Sequence, residues 1–250
     1  MTRVLGVDIG GSGVKGAVVD LDTGAMATDR YRITTPQPAT PEAVASVIVA
    51  ITDRFSWEGP IGCGLPTIVR DGVALSAANI DKSWIDTDVV GLIEAATGST
   101  AHVVNDADAA GLAEMRFGVR RGREGVVLLL TFGSGIGSAL FESGNLVPNT
   151  ELGHLEFHGM LAEQYAAARL VEHDGMEMSE WVRRVREYLA HLALLFSPSL
   201  IVFGGGISKH FDSFGSAFDL DVEVVPAHFR NNAGIVGAAL AADEAMAAAP

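Results

Sequence analysis

The sequence has a single cysteine, Cys63, among its 250 residues. One cysteine excludes an intramolecular disulfide framework and a zinc site built from several thiolates. We expect Cys63 to be a small core residue in the apolar run 61–65, and we expect the protein to hold no zinc. So little cysteine also fits the reducing cytoplasm, which is the predicted location.

Long hydrophobic runs and positive charge are scarce as well. Outside the alanine-rich end no stretch of about 18 uncharged apolar residues occurs, so no membrane span is expected. The first residues lead into a strand-like segment without a signal-peptide pattern. Lysine and arginine number 17 against 31 aspartates and glutamates, a formal net charge of −14. A field of this sign disfavours nucleic acid and anionic membranes as partners.

The chain alternates strand-like and helix-like patterns, which predicts an α/β fold. With 48% apolar residues it is long enough to form two modest lobes with cores. The expected strands are residues 3–9, 14–20, 60–65, 101–104, 125–132, 137–142, 200–203 and 222–225. The expected helices are residues 41–54, 88–97, 106–117, 161–173, 179–196 and 231–247.

Residues 7–20 contain Gly11-x-Gly-x-x-Gly16, the spacing of a dinucleotide-binding loop. Such a loop runs from a strand into a helix, whereas here strand-like residues stand on both sides. Lys15 is followed by glycine and not by Ser or Thr, which excludes a Walker loop. The pattern therefore predicts a β-hairpin with a glycine-rich bend. Asp8 would repel a bare pyrophosphate there unless a divalent cation lay between them.

A second strand, glycine bend and strand occupy residues 126–141, with the sequence VVLLLTFGSGIGSALF. Thr131 stands two positions before the first glycine of this bend, as Asp8 does in the first. A third glycine cluster, 204–206, follows the strand 200–203. Glycine lets backbone approach a ligand closely, so one shared ligand explains three clusters at strand ends better than three unrelated turns.

The repeated pattern predicts two similar lobes with a cleft between them. The expected N-terminal lobe is 1–107, completed by the C-terminal helix 231–250. The expected C-terminal lobe is 108–230.

Polar residues follow the strand 101–104 in the run Asn105-Asp106-Ala-Asp108. The carboxyl ends of strands are where α/β sheets place reacting groups. One of these residues is enough to cap the next helix, so three polar residues in four favour a site. Asp106 is the preferred general base for a bound hydroxyl, and Asp108, further into the helix, is the competitor.

Glu151-Leu-Gly-His154 is the second polar motif. With His158 and Glu163 it offers zinc ligands, but the spacing does not match known zinc helices. A sugar site is chemically reasonable, because several hydroxyls each need a carboxylate, amide or imidazole partner.

These motifs resemble the ROK family of sugar kinases over nearly the whole chain. The resemblance lies in Asp8-x-Gly-Gly-Ser-Gly-x-Lys15, Asn105-Asp106-Ala-Asp-Ala-Ala, Glu151-Leu-Gly-His154 and Gly204-Gly-Gly-Ile-Ser. It is strongest to the actinobacterial polyphosphate glucokinases, through 77–84, 113–117 and 231–239.

The resemblance implies a two-lobed actin-like ATPase (RNase H-like) fold and an enzyme that phosphorylates the 6-hydroxyl of glucose. It implies Mg²⁺ positioned by Asp8, inorganic polyphosphate or ATP as donor, and a homodimer. Asp106 would be the catalytic base. The residues implied to bind sugar are Asn79, Asn105, Asp106, Glu151, His154 and Glu163. Those implied to bind donor phosphates are Gly10, Gly11, Ser12, Gly13, Lys15, Thr131, Gly133, Ser134, Gly135, Gly204, Gly205 and Gly206.

Three alternatives stay open beside a polyphosphate glucokinase. The first is an ATP-dependent ROK kinase for glucose, mannose or another hexose. A ROK transcription regulator is disfavoured because only three residues precede Val4, which leaves no DNA-binding arm, and because of the acidic charge. A non-catalytic sugar-binding module would have no use for Asp106.

Polyphosphate also needs a track of cations, for which the candidates are Arg116, Arg120, Arg121, Arg123, Lys82, Lys209 and Arg230.

Overall fold

The computed structural model describes residues 2–78, 80–119 and 124–248. The strands are β1 (Arg3–Gly10), β2 (Gly13–Asp20), β3 (Ala25–Met26), β4 (Tyr31–Ile33), β5 (Ile61–Leu65), β6 (Val69–Arg70), β7 (Val73–Ala74), β8 (Thr87–Asp88), β9 (Ala101–Asn105), β10 (Val126–Phe132), β11 (Ile136–Glu142), β12 (Asn145–Val147), β13 (Glu156–Phe157), β14 (Met160–Leu161), β15 (Leu200–Gly204) and β16 (Val224–Pro226). The helices are α1 (Pro41–Phe55), α2 (Val89–Thr97), α3 (Asp106–Arg116), α4 (Ala162–Ala166), α5 (Arg169–Glu172), α6 (Met178–Phe196) and α7 (Ala233–Ala248).

The chain divides into two compact units. Unit 1 is Met1–Ala113 with Asn232–Pro250, and unit 2 is Glu114–Asn231. The division falls inside α3, after its first two turns, whereas the sequence-based boundary at 107/108 falls at the start of that helix. The last helix, α7, belongs to unit 1.

The main sheet of unit 1 has the strand order β3-β2-β1-β5-β9, with β4 also pairing β2. The first pair, β1 and β2, is antiparallel, and β5 and β9 then add in parallel. Helices cover both faces. A Cβ on Gly16 of β2 would lie 2.6 Å from the Cγ2 of Ile51 in α1, and one on Gly6 of β1 would overlap the Ile235 carbonyl of α7. Because Gly6 and Gly16 point to opposite faces, α1 and α7 form separate layers.

The main sheet of unit 2 has the order β12-β11-β10-β15-β16. It repeats the arrangement of unit 1, an antiparallel hairpin followed by parallel strands. Its core joins the apolar residues of β10 and β15 to the buried stripe of α6, where Trp181 packs edge-on against Phe132 and Phe203. The duplication predicted from the two glycine hairpins is therefore confirmed by the order of the strands.

The helix predicted over 161–173 is divided in the structure. It breaks after α4, where Ala167 adopts an extended conformation, and resumes as α5. The Trp181 indole N–H contacts the Ala166 and Ala167 carbonyls, and the N–H of Arg169 donates to Gly133 O at 3.0 Å. These tertiary hydrogen bonds replace helical ones. The local sequence pattern, which contains no signal of them, therefore predicted one long helix where the structure has two short ones.

Cys63 is fully buried in β5, as predicted for a core residue. Burial raises the pKa of its thiol to about 12. Within the described part of the chain, no helix combines the length and apolarity needed to cross a membrane.

Candidate active site

The bend of the β1–β2 hairpin places two opposite charges side by side. Residues 11–12 form the bend, because Gly10 pairs with Gly13. Lys15 is opposite Asp8 in the register, and its Nζ donates to Asp8 Oδ2 at 2.9 Å. The Lys15 side chain is 24% exposed and that of Asp8 16%. An ion pair with this access to solvent can exchange partners when a charged ligand arrives.

The carbonyl groups of this bend are bound by side chains from the segment after β2. Thr35 Oγ1 donates to Gly10 O and Arg32 Nη2 donates to Ser12 O, each at 2.5 Å. Carbonyl oxygens repel anions, so binding them leaves a bend better suited to phosphate. A cavity of about 240 Å³ adjoins the bend and is bordered by Thr35 and Asp81.

The Asp8 carboxylate also lies beside the first turn of α7. A Cβ on Gly234 would come within 3.0 Å of Asp8 Cγ, so glycine is what permits this close approach. The N–H groups of a helix's first turn favour negative charge. Gly234 lies in the segment 231–239 that resembles a known family, but no function was predicted for it, because only the fold brings α7 back to β1.

At the end of β9, Asn105 caps the following helix. Its Oδ1 accepts the N–H groups of Ala107 at 2.8 Å and Asp108 at 3.1 Å, and its Nδ2 donates to Thr67 O at 3.2 Å. Asn105 is thus the N-cap of α3. The expectation that one of these polar residues acts as the cap is confirmed, and the cap does not require the carboxylate of Asp106.

The two aspartates of α3 differ in access. The Asp108 residue is only 2% exposed, whereas Asp106 is half-buried. A Cβ on Gly64 of β5 would lie 3.5 Å from the Asp106 Cα, so Asp106 stands at the carboxyl ends of β5 and β9. Of the two candidate bases, Asp106 is the one that a ligand in unit 1 can reach.

The hairpin of unit 2 has no charge at the matching positions. Thr131 is opposite Gly137, where unit 1 has Asp8 opposite Lys15. Residues 133–135 form its bend, and the N–H of the first bend glycine donates to the carbonyl of the last at 3.0 Å. This bend offers a hydroxyl and backbone groups, which suits contacts with an anion but supplies no counter-charge.

The glycine cluster after β15 lies directly against that bend. Gly204 pairs with Thr131 in the parallel register. Gly205 has φ 87°, and a Cβ there would overlap the backbone of Phe132, so only glycine fits. The glycine clusters 133–135 and 204–206 therefore form one surface in unit 2. Ser134, in the first of them, is exposed there.

Glu151, His154 and Glu163 form an acid–imidazole–acid cluster in unit 2. The Nδ1 of His154 is 3.5 Å from Glu151 Oε2, and its Nε2 is 3.8 Å from Glu163 Oε1. Burial is the main influence on Glu151 and raises its pKa, while the imidazole of His154 lowers that pKa and the carboxylate of Glu163 raises it. The structure thus brings together three residues that the sequence associated with sugar hydroxyls.

Ser138 of β11 holds this cluster in place. Its Oγ donates to Thr150 O at 2.5 Å and accepts the N–H of Leu152 at 2.9 Å, so it binds both peptide groups that flank Glu151. The Tyr188 hydroxyl donates to Leu152 O at 3.0 Å. Neither Ser138 nor Tyr188 was predicted as a site residue, since a serine in a strand and a tyrosine in a helix carry no sequence signal of this contact.

Some predicted residues lie outside the described ranges, namely Asn79, Arg120, Arg121 and Arg123. Lys82 Nζ donates to Ala77 O at 2.7 Å, which ties this ammonium to its own loop. Among residues 2–78, 80–119 and 124–248, no three His, Cys, Asp or Glu side chains are grouped so as to hold a metal ion.

Comparison with known proteins decides the family. The profile of the ROK family matches residues 4–164. The chain belongs to the ROK family. A curated relative, the polyphosphate glucokinase of Mycobacterium tuberculosis (strain CDC 1551 / Oshkosh), is 47% identical over 237 residues, which cover 94% of this chain and 89% of that protein.

Two solved structures extend the comparison of this ROK protein to its fold. The inorganic polyphosphate/ATP-glucomannokinase from Arthrobacter sp. strain KM has a TM-score of 0.95 at 46% identity, covering 98% of this chain and 100% of that one. A ROK family glucokinase from Streptomyces griseus, solved with glucose and AMPPNP, has a TM-score of 0.82 at 26% identity, covering 97% and 100%. The chain has the α/β, actin-like ATPase fold of the ROK sugar kinases, as the resemblance implied.

Proposed function

We propose that this ROK protein transfers the terminal phosphoryl group of inorganic polyphosphate to the 6-hydroxyl of glucose, with ATP as a second donor. The relatives support this reaction, since one is a polyphosphate glucokinase and another a polyphosphate/ATP-glucomannokinase. The observation that carries the proposal is the position of the half-buried Asp106 at the ends of β5 and β9, with the helix cap supplied by Asn105.

Asp106 acts as general base in the proposed reaction. A sugar hydroxyl is a poor nucleophile, so Asp106 accepts its proton as the oxygen attacks the terminal phosphorus. The bond between that phosphorus and the bridging oxygen breaks, and the shortened polyphosphate leaves with the electron pair. Phosphoryl transfer asks little covalent chemistry of the protein, so alignment and charge neutralisation supply most of the acceleration.

The remaining sugar hydroxyls are proposed to bind polar side chains that the sequence associated with sugar. Glu151, His154 and Glu163 supply carboxylate and imidazole partners, and Asn79 is proposed to add an amide. Any sugar contact of Asn105 would come from its Nδ2, because its Oδ1 accepts two N–H groups of α3.

The donor phosphates are proposed to bind the glycine bends 10–13 and 133–135, the cluster 204–206 and the ammonium of Lys15. Magnesium is normally held by one or two carboxylates and the phosphates of the substrate, and the partly exposed carboxylate of Asp8 fits that requirement. When bound, the ion would neutralise charge on the phosphoryl oxygens. Asp8 would orient it through an oxygen that now accepts from Lys15.

An ATP-dependent ROK hexokinase for glucose, mannose or another hexose is the second candidate. The fold similarity to a glucokinase solved with glucose and AMPPNP favours it.

A homodimer, a cytoplasmic location and the lack of nucleic-acid and membrane partners stay predictions. Size-exclusion chromatography with light scattering tests the homodimer.

Kinetics with four donor–sugar pairs test the proposed function: polyphosphate or ATP, each with glucose or mannose. We expect wild-type protein to phosphorylate glucose with polyphosphate. Asp106→Asn should lower kcat about 10²- to 10⁴-fold with little change in glucose affinity, because only the proton acceptor is lost.

Asp88→Asn is the matched control, since Asp88 is also an aspartate at a helix start and caps α2 through Gly91 N–H at 2.9 Å. Asparagine caps nearly as well, so this variant should behave as wild type. Turnover close to wild type in Asp106→Asn would exclude Asp106 as the base. A wild-type protein inactive with polyphosphate of every length would leave the ATP-dependent alternative.

A further inference from the structure

A row of charged side chains crosses the first hairpin and continues onto β4. Asp8 pairs with Lys15, and Lys15 pairs in turn with Arg32. Residues directly opposite in antiparallel strands carry their side chains on the same face. A carboxylate, an ammonium and a guanidinium therefore follow one another beside the glycine bend, although Arg32 lies outside the motif that identified the hairpin.

The charge of Lys15 is offset by Asp8, but that of Arg32 is not. Within the described part of the chain, no carboxylate lies within ion-pair distance of the Arg32 guanidinium. The residue is exposed at the surface of unit 1. In a protein with a net charge of −14, such a cation beside a phosphate-binding bend concentrates positive potential locally.

The guanidinium of Arg32 lies over the bend itself. Its Nη2 donates to Ser12 O at 2.5 Å, and a Cβ on Gly13 would come within 2.6 Å of the Arg32 Cζ. Gly13 is thus the residue that lets the guanidinium approach. That hydrogen bond uses one of the five N–H donors of the side chain, and the planar group binds phosphate oxygens well.

We propose that Arg32 binds the phosphate chain of the donor, at a phosphate beyond the one transferred. This inference rests on the proposed phosphotransferase function and adds a residue to its donor site. ATP has only two phosphates beyond the one transferred and then continues as a nucleoside, whereas polyphosphate continues as an anion. The contact should therefore contribute more to polyphosphate binding than to ATP binding.

A purely structural role for Arg32, in which it only holds the bend, is the competing explanation. Arg32→Gln separates the two roles, because glutamine retains an N–H donor for the Ser12 carbonyl but loses the charge. Arg54→Gln is the matched control. Arg54 lies 5.7 Å from the ring centre of Tyr31, the neighbour of Arg32 that points to the other face of β4, so the same charge is lost away from the bend.

Steady-state kinetics and calorimetry on the full-length variants test the inference. In Arg32→Gln we expect the KM for polyphosphate to rise about 10- to 100-fold, the KM for ATP to rise less and the KM for glucose to stay unchanged. Isothermal titration with polyphosphate alone should show the same loss of affinity and a shallower dependence on salt. Arg54→Gln should match wild type in every measurement.

The inference would be overturned by an unchanged donor KM in Arg32→Gln or by an equal loss in Arg54→Gln. A rise in the KM for glucose that parallels the donor KM, together with a lower melting temperature, would show that Arg32 only holds the bend. Failure of the proposed function is distinct, because it appears as an inactive wild type.

Discussion

The two glycine hairpins occupy equivalent places in their sheets, yet they differ in charge. Each begins a sheet in which an antiparallel hairpin is followed by parallel strands. In unit 1 the hairpin places Asp8 opposite Lys15, whereas in unit 2 the matching residues are Thr131 and Gly137. A repeated backbone arrangement thus carries different chemistry, because strand pairing depends on the main chain and leaves the side chains to vary.

The hairpin of unit 2 acquires charge indirectly. Its second strand, β11, carries Ser138, whose hydroxyl binds the peptide groups on either side of Glu151. Glu151 is therefore attached by hydrogen bonds to a hairpin whose bend is uncharged, whereas Asp8 belongs to a strand of its own hairpin. This difference predicts that the hairpins will respond differently to substitution.

Removal of the charge on the first hairpin should have the largest effect. In Asp8→Asn we expect kcat/KM to fall about 10²- to 10³-fold, the typical cost of losing one preorganised electrostatic contact. Thr131→Val removes only a hydroxyl from the second hairpin and should cost less than about tenfold. Steady-state kinetics with saturating glucose and varied donor measure both. Equal losses would show that the hairpins contribute alike and would end the distinction drawn between them.

Loss of the hydroxyl that attaches the acidic turn should have an intermediate effect. Ser138→Ala leaves the Leu152 N–H without its acceptor, so we expect the KM for glucose to rise about tenfold with kcat within about twofold of wild type. Thr52→Val is the control, since Thr52 is also a buried hydroxyl and donates to Ile48 O in α1 at 2.9 Å. A fall in kcat without a change in KM would contradict a positioning role for Ser138.

The pH dependence of glucose binding should show the smallest effect. Burial raises the pKa of Glu151, so this carboxylate takes up a proton at a higher pH than an ordinary glutamate. As the pH falls through that pKa, a hydrogen-bond acceptor is lost and the KM for glucose rises, by at most about tenfold per pH unit.

The stability of the fold should change in the opposite sense. A raised pKa means that the folded protein binds more protons than the unfolded chain, so the contribution of Glu151 to stability is present at low pH and is lost as the pH rises. The rise of the KM for glucose at low pH is measured by comparing that KM in wild type and Glu151→Gln between about pH 5 and 8. Glu151 has no such role if the two profiles have the same acid limb.

Much of the fold was predictable because its signals are local. Glycines between two strand-like runs predicted both hairpins, and apolar spacing predicted α1 and α6 to within one residue at each end. The division of 161–173 was not predictable, since it depends on hydrogen bonds from Trp181 and to Gly133 that join distant parts of the chain. The candidate site follows the same rule: Glu151 and His154 are close in sequence, but their support by Ser138 is not.

Residues within a few positions of one another specify the α/β alternation, the two glycine bends and the position of Asp106 directly after a strand, so these features were predictable from local sequence. Tertiary packing was needed to join the Asn105 amide to Thr67 O, to bring Gly234 of α7 to Asp8, and to place Arg32 over Gly13. Those contacts join residues far apart in the chain, so they exist only once strand register and helix packing have set the distances between them.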